Sequence, residues 1–421
     1  MMVLAFYVAL FTGAFLIVRL VRSRRERHDL TSLKTVTFGD ESAIVPDRAA
    51  SVISVVSVFL IWGAFTGSAW APFHVPGPFT GETSFTYTAQ NAGGQTDTAT
   101  VRVIVHAADA AAPALPDLGG GEGFARDDAA VVAAWRSVLI RPAENDIDSG
   151  VEGYRVTAID GQAITPDSPV KVADGNVVLT ARGSLNFTPA KGFQMEPLWL
   201  PAPEAVLGRL IEISRDGYQN TALWEHLAAS LMRVLAGFAL GSLVGIPLGY
   251  AMGLSGWFRG WFDPIVEFMR PVPPLALIPL VIIWFGIWET GKVVLLFLAA
   301  LWIMVIAARS GVSGVRISKI HAAYSLGASK WQILRHVIIP NSLPEIFTGA
   351  RVAMGVCWGT VVAAELVAAQ KGAGMMIIAA SKFQLTDIVV MGIILIGVIG
   401  YAIDILMRMA ERRLVPWKGR G

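Results

Sequence analysis

The sequence predicts an α-helical membrane protein with one β-rich domain inserted between its early spans. Composition is the first sign: 54% of the 421 residues are apolar and only 16% charged, below the charge content of an ordinary soluble domain. The apolar residues also gather in blocks near the roughly 20 residues that a helix needs to cross a bilayer. Residues 76–195 contrast with this, holding no spanning block and showing strand-like alternation instead. A net charge of +2 provides no basic surface for nucleic acid, which excludes that class of partner. The single Cys357 lies in an apolar block and can form no intrachain disulfide.

Taken in order, Met1 to Val18 is apolar and is followed by Arg19, Arg22, Arg24, Arg25 and Arg27. A secretory signal carries its positive charge before the apolar run, so 2–20 reads as a retained span with its N-terminus outside. Further spans are expected at 50–69, 226–254, 274–288, 292–309, 346–369 and 386–408. Basic residues then fall in alternate connections: Arg259 and Arg270, the run from Arg309 to Arg335, and Arg408 to Arg420. The positive-inside rule puts these in the cytoplasm, giving seven spans with the C-terminus inside. The domains are 1–30 (first span and basic segment), 50–75 (second span), 76–195 (β-domain, outer face) and 196–421 (helical core).

Within 76–195, alternation at 84–88, 98–105 and 154–157, with turn signals at Gly93-Gly94 and Asp174-Gly175, predicts a small antiparallel β-domain. Residues 107–125 are rich in Ala, Pro and Gly and read as a flexible linker within it. Asn145-Asp146-Ile147-Asp148 invites a calcium reading, but the ligand series ending in Glu is missing, so an Asx-rich turn is expected and no metal site.

In the helical core, Gly286 to Lys292 satisfies GxxxxGK, yet Val293 stands where Ser or Thr would hold magnesium and no strand precedes it. It reads as a turn between spans, so the chain is not itself an ATPase and carries no cofactor. Arg270-Pro271-Val272-Pro273-Pro274 gives a rigid start to the next span, or a broken segment near a gate. Glu365 appears central in its span, which makes it a candidate for the translocation pathway or for a helix contact; Trp358 and Thr360 on the same span are placed with it. Asp404 is expected to pair with Arg408 at i+4, and Gly355, Gly359, Ala363 and Ala364 to let the 346–369 helix pack closely.

Residues 321–340 read HAAYSLGASKWQILRHVIIP, between membrane-length blocks. Ala322, Ala323 and Gly327 are small enough for two short helices to pack across them, and Pro340 is expected to end the second helix. Ser329, Lys330, Trp331 and Gln332 are left to reach a partner. An amphipathic helix on lipid headgroups does not explain the small-residue spacing.

This loop, with 223–238, 270–299, 325–369 and the tail 411–419, resembles the permeases of the nitrate/sulfonate/taurine group of ABC importers. The resemblance covers over half of the chain. It implies a type I importer fold, with 318–340 as the socket for a separate ATPase that binds ATP and Mg. It further implies a periplasmic solute-binding protein, a second permease copy, taurine or a related sulfonate as solute, and a bacterial inner membrane location. Three features depart from the family: the extra first span, the β-domain, and His321 where Glu is usual. The β-domain resembles bacterial cadherin-like or Ig-like repeats whose halves come in swapped order, as in a circular permutation. The competing class is an adhesion or structural protein anchored by its helices, for which an ATPase socket has no use.

Overall fold

The computed structural model describes residues 2–26, 48–116, 118, 123–147, 153–166, 168–366 and 369–417. The chain forms two compact units, 1–204 and 205–421. Arg27 of the first basic cluster and Asp148 of the Asx turn lie outside the described residues.

The first unit opens with α1 (Met2–Glu26) and α2 (Arg48–Thr66), both long and apolar enough to span a bilayer. Its β-part holds β1 (Gly81–Gln90), β2 (Thr96–His106), β3 (Asp128–Ala133), β4 (Val138–Ile140), β5 (Arg155–Ile159), β6 (Gln162–Ala163), β7 (Val170–Val172), β8 (Gly175–Leu179) and β9 (Leu185–Pro189). They make a five-stranded sheet, β3-β2-β1-β5-β6, and a four-stranded sheet, β4-β9-β8-β7. Alternation does the work expected of it: Phe85, Tyr87 and Ala89 of β1 and Val101, Val103 and Val105 of β2 point inward. They share one core with Val177, Leu185 and Phe187 of the second sheet, and Phe85 stacks on Phe187.

Segments 82–106 and 152–190 therefore belong to one body, joined by the antiparallel pairing of β1 with β5. The arrangement is not wholly antiparallel as expected, because β2 and β3 run parallel in register from Val101↔Asp128 to His106↔Ala133. A parallel neighbour needs a long crossover, and residues 107–127 supply it. The segment expected to be a linker throughout thus ends in structure, with Ala125 buried and Phe124 packed on the core. The chain leaves this body where it enters: Phe79 N–H donates to Ala190 O at 2.9 Å and Phe193 N–H to Pro76 O at 2.8 Å. Gly192 (φ +63°) is needed at that crossing, since a Cβ there would sit 2.1 Å from Gly77 O.

The second unit begins within the first turn of α3 (Pro203–Asp216). It contains α4 (Leu223–Leu254), α5 (Gly256–Met269), α6 (Ile278–Phe285), α7 (Glu289–Ser313), α8 (Ile317–Ser325), α9 (Lys330–Ile333), α10 (Ile339–Leu366), α11 (Ala373–Lys382) and α12 (Thr386–Leu414). Among the described residues of the whole chain, six helices are long and apolar enough to span, or seven if α5 and the Pro274–Phe285 segment form one broken span.

The span expected at 274–288 is that broken piece: a 3₁₀ turn and the short α6, bent 94° from α5. Pro271, Pro273 and Pro274 explain the break, since proline cannot donate the backbone bond that would continue α5. α11 and the amphipathic α3 and α5 have no counterpart among the expected spans.

α4 and α7 form the tightest helix pair. Gly237, Gly241, Gly245, Gly249 and Gly253 recur every four residues on α4 and face Leu296, Ala300, Met304, Ala308 and Val312 of α7, so the backbones approach closely. On α10 the close contact is made by Gly349, whose missing Cβ leaves room for Ala307. Gly355 and Gly359, expected at such a contact, have nothing within 4 Å. Four-residue spacing put them on one face, but it is the exposed one.

Candidate functional site

Two constructions in the second unit carry chemistry, at opposite ends of α7. The first is the loop after α7. α8 stops at Ser325, Gly327 turns the chain at φ +80°, and Ser329 caps the start of α9. Ser329 and Gln332 form a capping box: Gln332 N–H donates to Ser329 Oγ at 3.3 Å and Ser329 N–H to Gln332 Oε1 at 2.8 Å. Those two polar side chains are therefore occupied by the local backbone, while Lys330 and Trp331 stay exposed.

Gly327 is small for its backbone angle rather than for packing, since a Cβ would meet nothing within 4 Å. Ala322 and His321 are exposed; Ala323 packs on the small core of Val312, Ile333 and Ile338. Pro340 does not end the second helix. A π turn, Leu334–Ile338, precedes α10, and Lys330–Leu366 runs on as one helical stretch. The wider π turn shifts the hydrogen-bond ladder just where Pro340 lacks an N–H. Trp417 Nε1–H donates to Pro340 O at 3.1 Å, tying the tail to this turn.

The loop presents a groove of about 410 Å³ lined by Ala323, Leu326, Ala328, Ile333, His336 and Val337. Leu326 is 88% and Trp331 66% exposed beside it. Both are apolar side chains left open on a connection between helices.

The second construction is an ion cluster, buried at Arg233, Lys292 and Glu365 and open to the surface at Glu289. Arg233 of α4 donates through Nη1 to Glu365 Oε1 at 2.6 Å and grips Glu289 of α7 with Nε and Nη2 at 2.5 and 2.9 Å. Lys292 donates to Glu289 Oε1 at 2.9 Å, so two cations meet two carboxylates. Glu365 Oε1 also accepts from Ser230 Oγ at 2.7 Å, and Oε2 from Gly374 N–H at 2.8 Å.

His226, fully buried, accepts Gly372 N–H at Nδ1 (3.1 Å) and faces Tyr218 O through Nε2 at 3.2 Å. Those partners require a neutral ring with its proton on Nε2. Glu365 lies at the last turn of α10 rather than mid-span, because the helix begins at Ile339 and ends at Leu366. Trp358 is buried with Nε1–H donating to Ile396 O of α12 at 2.9 Å, and Thr360 is buried on the same helix. Asp404 pairs with Arg408 as expected and also with Arg351 at 3.2 Å.

Sequence spacing showed Glu365 as a charge inside a span but gave no sign of Glu289, Ser230 or His226 as members of its cluster. Glu289 and Lys292 stood in the GxxxxGK stretch, of which 286–288 is the turn joining α6 to α7 and the rest is the first turn of α7.

In the first unit the Asx turn is structural. Asp146 accepts from Tyr87 Oη at 2.8 Å and Arg126 N–H at 2.6 Å through Oδ1, and from Tyr154 through Oδ2. Burial, assisted by the Asp146 carboxylate, raises the Tyr87 and Tyr154 phenols above their ordinary range. The same two causes push Asp128 up to about 6, and its Oδ2 is buried with no hydrogen-bond partner among the described residues. A raised acid holds its proton more tightly in the folded state, so stability is full below about pH 4 and is lost as pH rises to 6. Asp128→Asn is thus expected to stabilise the β-strands at pH 7.5 by about 1–2 kcal/mol after discounting for solvent screening, and to change nothing at pH 4. Hydrogen exchange of β1 and β2 in the whole protein reads both values.

The profile of the family described as "Binding-protein-dependent transport system inner membrane component" matches residues 225–416. The chain is 48% identical over 226 residues to the taurine transport system permease protein TauC of Escherichia coli, spanning 53% of this chain and 82% of the relative. It is 38% identical over 218 residues to the aliphatic sulfonates transport permease named SsuC of the same species (52% and 81%). To the bicarbonate transport system permease protein CmpB of Synechococcus elongatus it is 31% identical over 209 residues (49% and 72%).

Proposed function

Because this chain belongs to the family of binding-protein-dependent inner membrane transport components, we propose that it carries taurine or a related alkanesulfonate inward as the permease of an ATP-driven importer. As an ABC permease subunit it is a non-catalytic, multi-pass membrane protein, and permeases of this kind work with a cytoplasmic ATPase and a solute-binding protein. The identity to TauC supports the choice of taurine. Two copies form the pathway, and alternating access is driven by ATP in the partner, with 318–340 as the lever. The bound partner must prefer one conformation over the other for such coupling to exist.

The exposed groove and the apolar Leu326 and Trp331 beside it are the observation that carries the coupling. The Arg-rich connections support a reading in which the loop is cytoplasmic and the N-terminus and β-part are periplasmic. The β-part is read as a cadherin-like or Ig-like module, circularly permuted, whose strands from both halves of the segment build one core. Trp358, Thr360 and Glu365 enter this reading as residues that hold the pathway helix α10 in place. Trp358 fastens it to α12 and Glu365 fastens it to α4.

Gly327→Leu tests the lever. Any L side chain at φ +80° is strained by about 1–2 kcal/mol, and leucine also changes the rim of the groove. The variant is expected to reach the membrane in normal amount yet lose at least about tenfold in labelled-taurine uptake, while ATP hydrolysis persists without coupling. Uptake at the normal rate would show that this loop is not the coupling element. Loss of taurine competition against labelled alkanesulfonates, with uptake retained, would overturn the choice of solute alone.

A further inference from the structure

The family match begins at Glu225, and α1 lies far outside it. α1 is also barely packed: among its described side chains only Tyr7 is buried, while Val8, Leu10, Leu16, Ile17 and Leu20 are exposed. A span that sealed a helix bundle would bury a continuous stripe. α1 instead buries a single phenol, at 1% exposure, near its beginning.

The hydroxyl of Tyr7 is fully used. It donates to Phe73 O at 3.0 Å and accepts from Phe73 N–H at 3.3 Å, and Phe6 meets the Phe73 ring edge-on at 4.6 Å. Phe73 belongs to 67–80, the stretch that leads from α2 into β1. That stretch is also tied to the end of α2 and to the chain that leaves the β-part. Ser68 Oγ–H and Ala69 N–H donate to the Glu204 carboxylate at 2.6 and 3.0 Å, and His74 Nε2 meets Ser68 O at 2.6 Å. Gln194 Nε2–H donates to Val75 O at 3.0 Å, Met195 N–H to Phe65 O at 2.8 Å, and Trp62 Nε1–H to Pro201 O at 2.9 Å. The chain entering the β-part and the chain leaving it are thus laced together on the end of α2, and Tyr7 adds the tie from a separate helix.

We propose that α1 is a brace for the β-part: Tyr7 pins the leading segment through Phe73, so the additional span and the inserted β-strands work as one module. The two departures from the family's plan then have a single explanation. A body hung from two connections can pivot about the line that joins them, and a third attachment off that line removes the pivot. The contact also requires the start of α1 and the end of α2 to lie on the same side of the membrane as the β-part, as an antiparallel helix pair places them.

The test uses the full chain in lipid nanodiscs. Tyr7→Phe keeps the ring and removes both hydroxyl bonds, and Tyr7→Ala removes the whole contact. Exchange of backbone hydrogens in 71–77 is expected to rise by at least about fivefold in Tyr7→Phe and further in Tyr7→Ala, with β1, β2, α4 and α7 unchanged. Spin labels on Val55→Cys and Arg182→Cys are expected to give a broader distance distribution in Tyr7→Ala than in the parent. Unchanged exchange and an unchanged distribution in both variants would overturn the brace. So would faster exchange spread through α4 to α12, since α1 would then serve the permease helices themselves.

Discussion

Gly241→Leu is expected to prevent the helical unit from assembling, with almost no monodisperse protein recovered after detergent extraction. A Cβ at Gly241 would lie 2.6 Å from Ala300 Cβ and 2.9 Å from Phe297 O. The second of these is backbone, so no rotamer change relieves it. The neighbours leave no room for a shift of register either: a Cβ at Gly237 would lie 2.3 Å from Leu296 Cβ, and one at Gly249 2.5 Å from Val305 O. Overpacking a core usually costs about 1–3 kcal/mol, which is the expectation for Gly241→Ala. Leucine adds three more carbons to a contact already closed, and the whole α4–α7 seam must part. Gly397→Ala in α12 is the control, because its Cβ meets nothing within 4 Å and alanine favours the helix. Near-normal recovery of Gly241→Leu would mean that α4 and α7 do not pack through this row.

Only Gly355 and Gly359 were singled out from their spacing, although the α4 row carries the same signal, glycine at every fourth position. Spacing tells which residues share a face but not which face finds a neighbour, and only the α4 row is buried. The same limit governs the β-part. β1 and β2 were legible because their alternation is long, whereas β3 is a short Ala- and Val-rich run paired in parallel after a crossover. Nothing local announces such a pairing.

Helix ends were hard for a different reason. Pro340 is a helix breaker by its chemistry, yet a π turn lets the helix pass through it; three prolines near 273 do break theirs. At the candidate site, the loop's small and apolar positions were readable because they lie within one local segment. The ion cluster was not, because Ser230, Arg233, Glu289 and Glu365 come from three helices far apart in sequence.

Arg233→Leu is expected to be the most damaging single change in that cluster. The Glu365 side chain is completely buried and that of Arg233 nearly so. Removing the cation strands a buried carboxylate, which destabilises by about 3–5 kcal/mol. Arg233→Lys should recover part of this and no more. One ammonium cannot reproduce the two-pronged grip on Glu289 together with the bonds to Glu365 and Lys371 O. Combining Arg233→Leu with Glu365→Leu should be less harmful than Arg233→Leu alone, because the desolvated charge goes with its partner.

Glu365→Gln separates packing from transport. Its carboxylate oxygens already serve Ser230, Arg233 and Gly374, so the amide must turn a donor towards at least one of these donors. Thermal stability and taurine uptake are therefore expected to fall together. Uptake lost at unchanged melting temperature, with water-side labelling of Glu365→Cys, would instead place this carboxylate on the solute's path. The cluster would then open during transport, and Arg233 would be the residue that lets go.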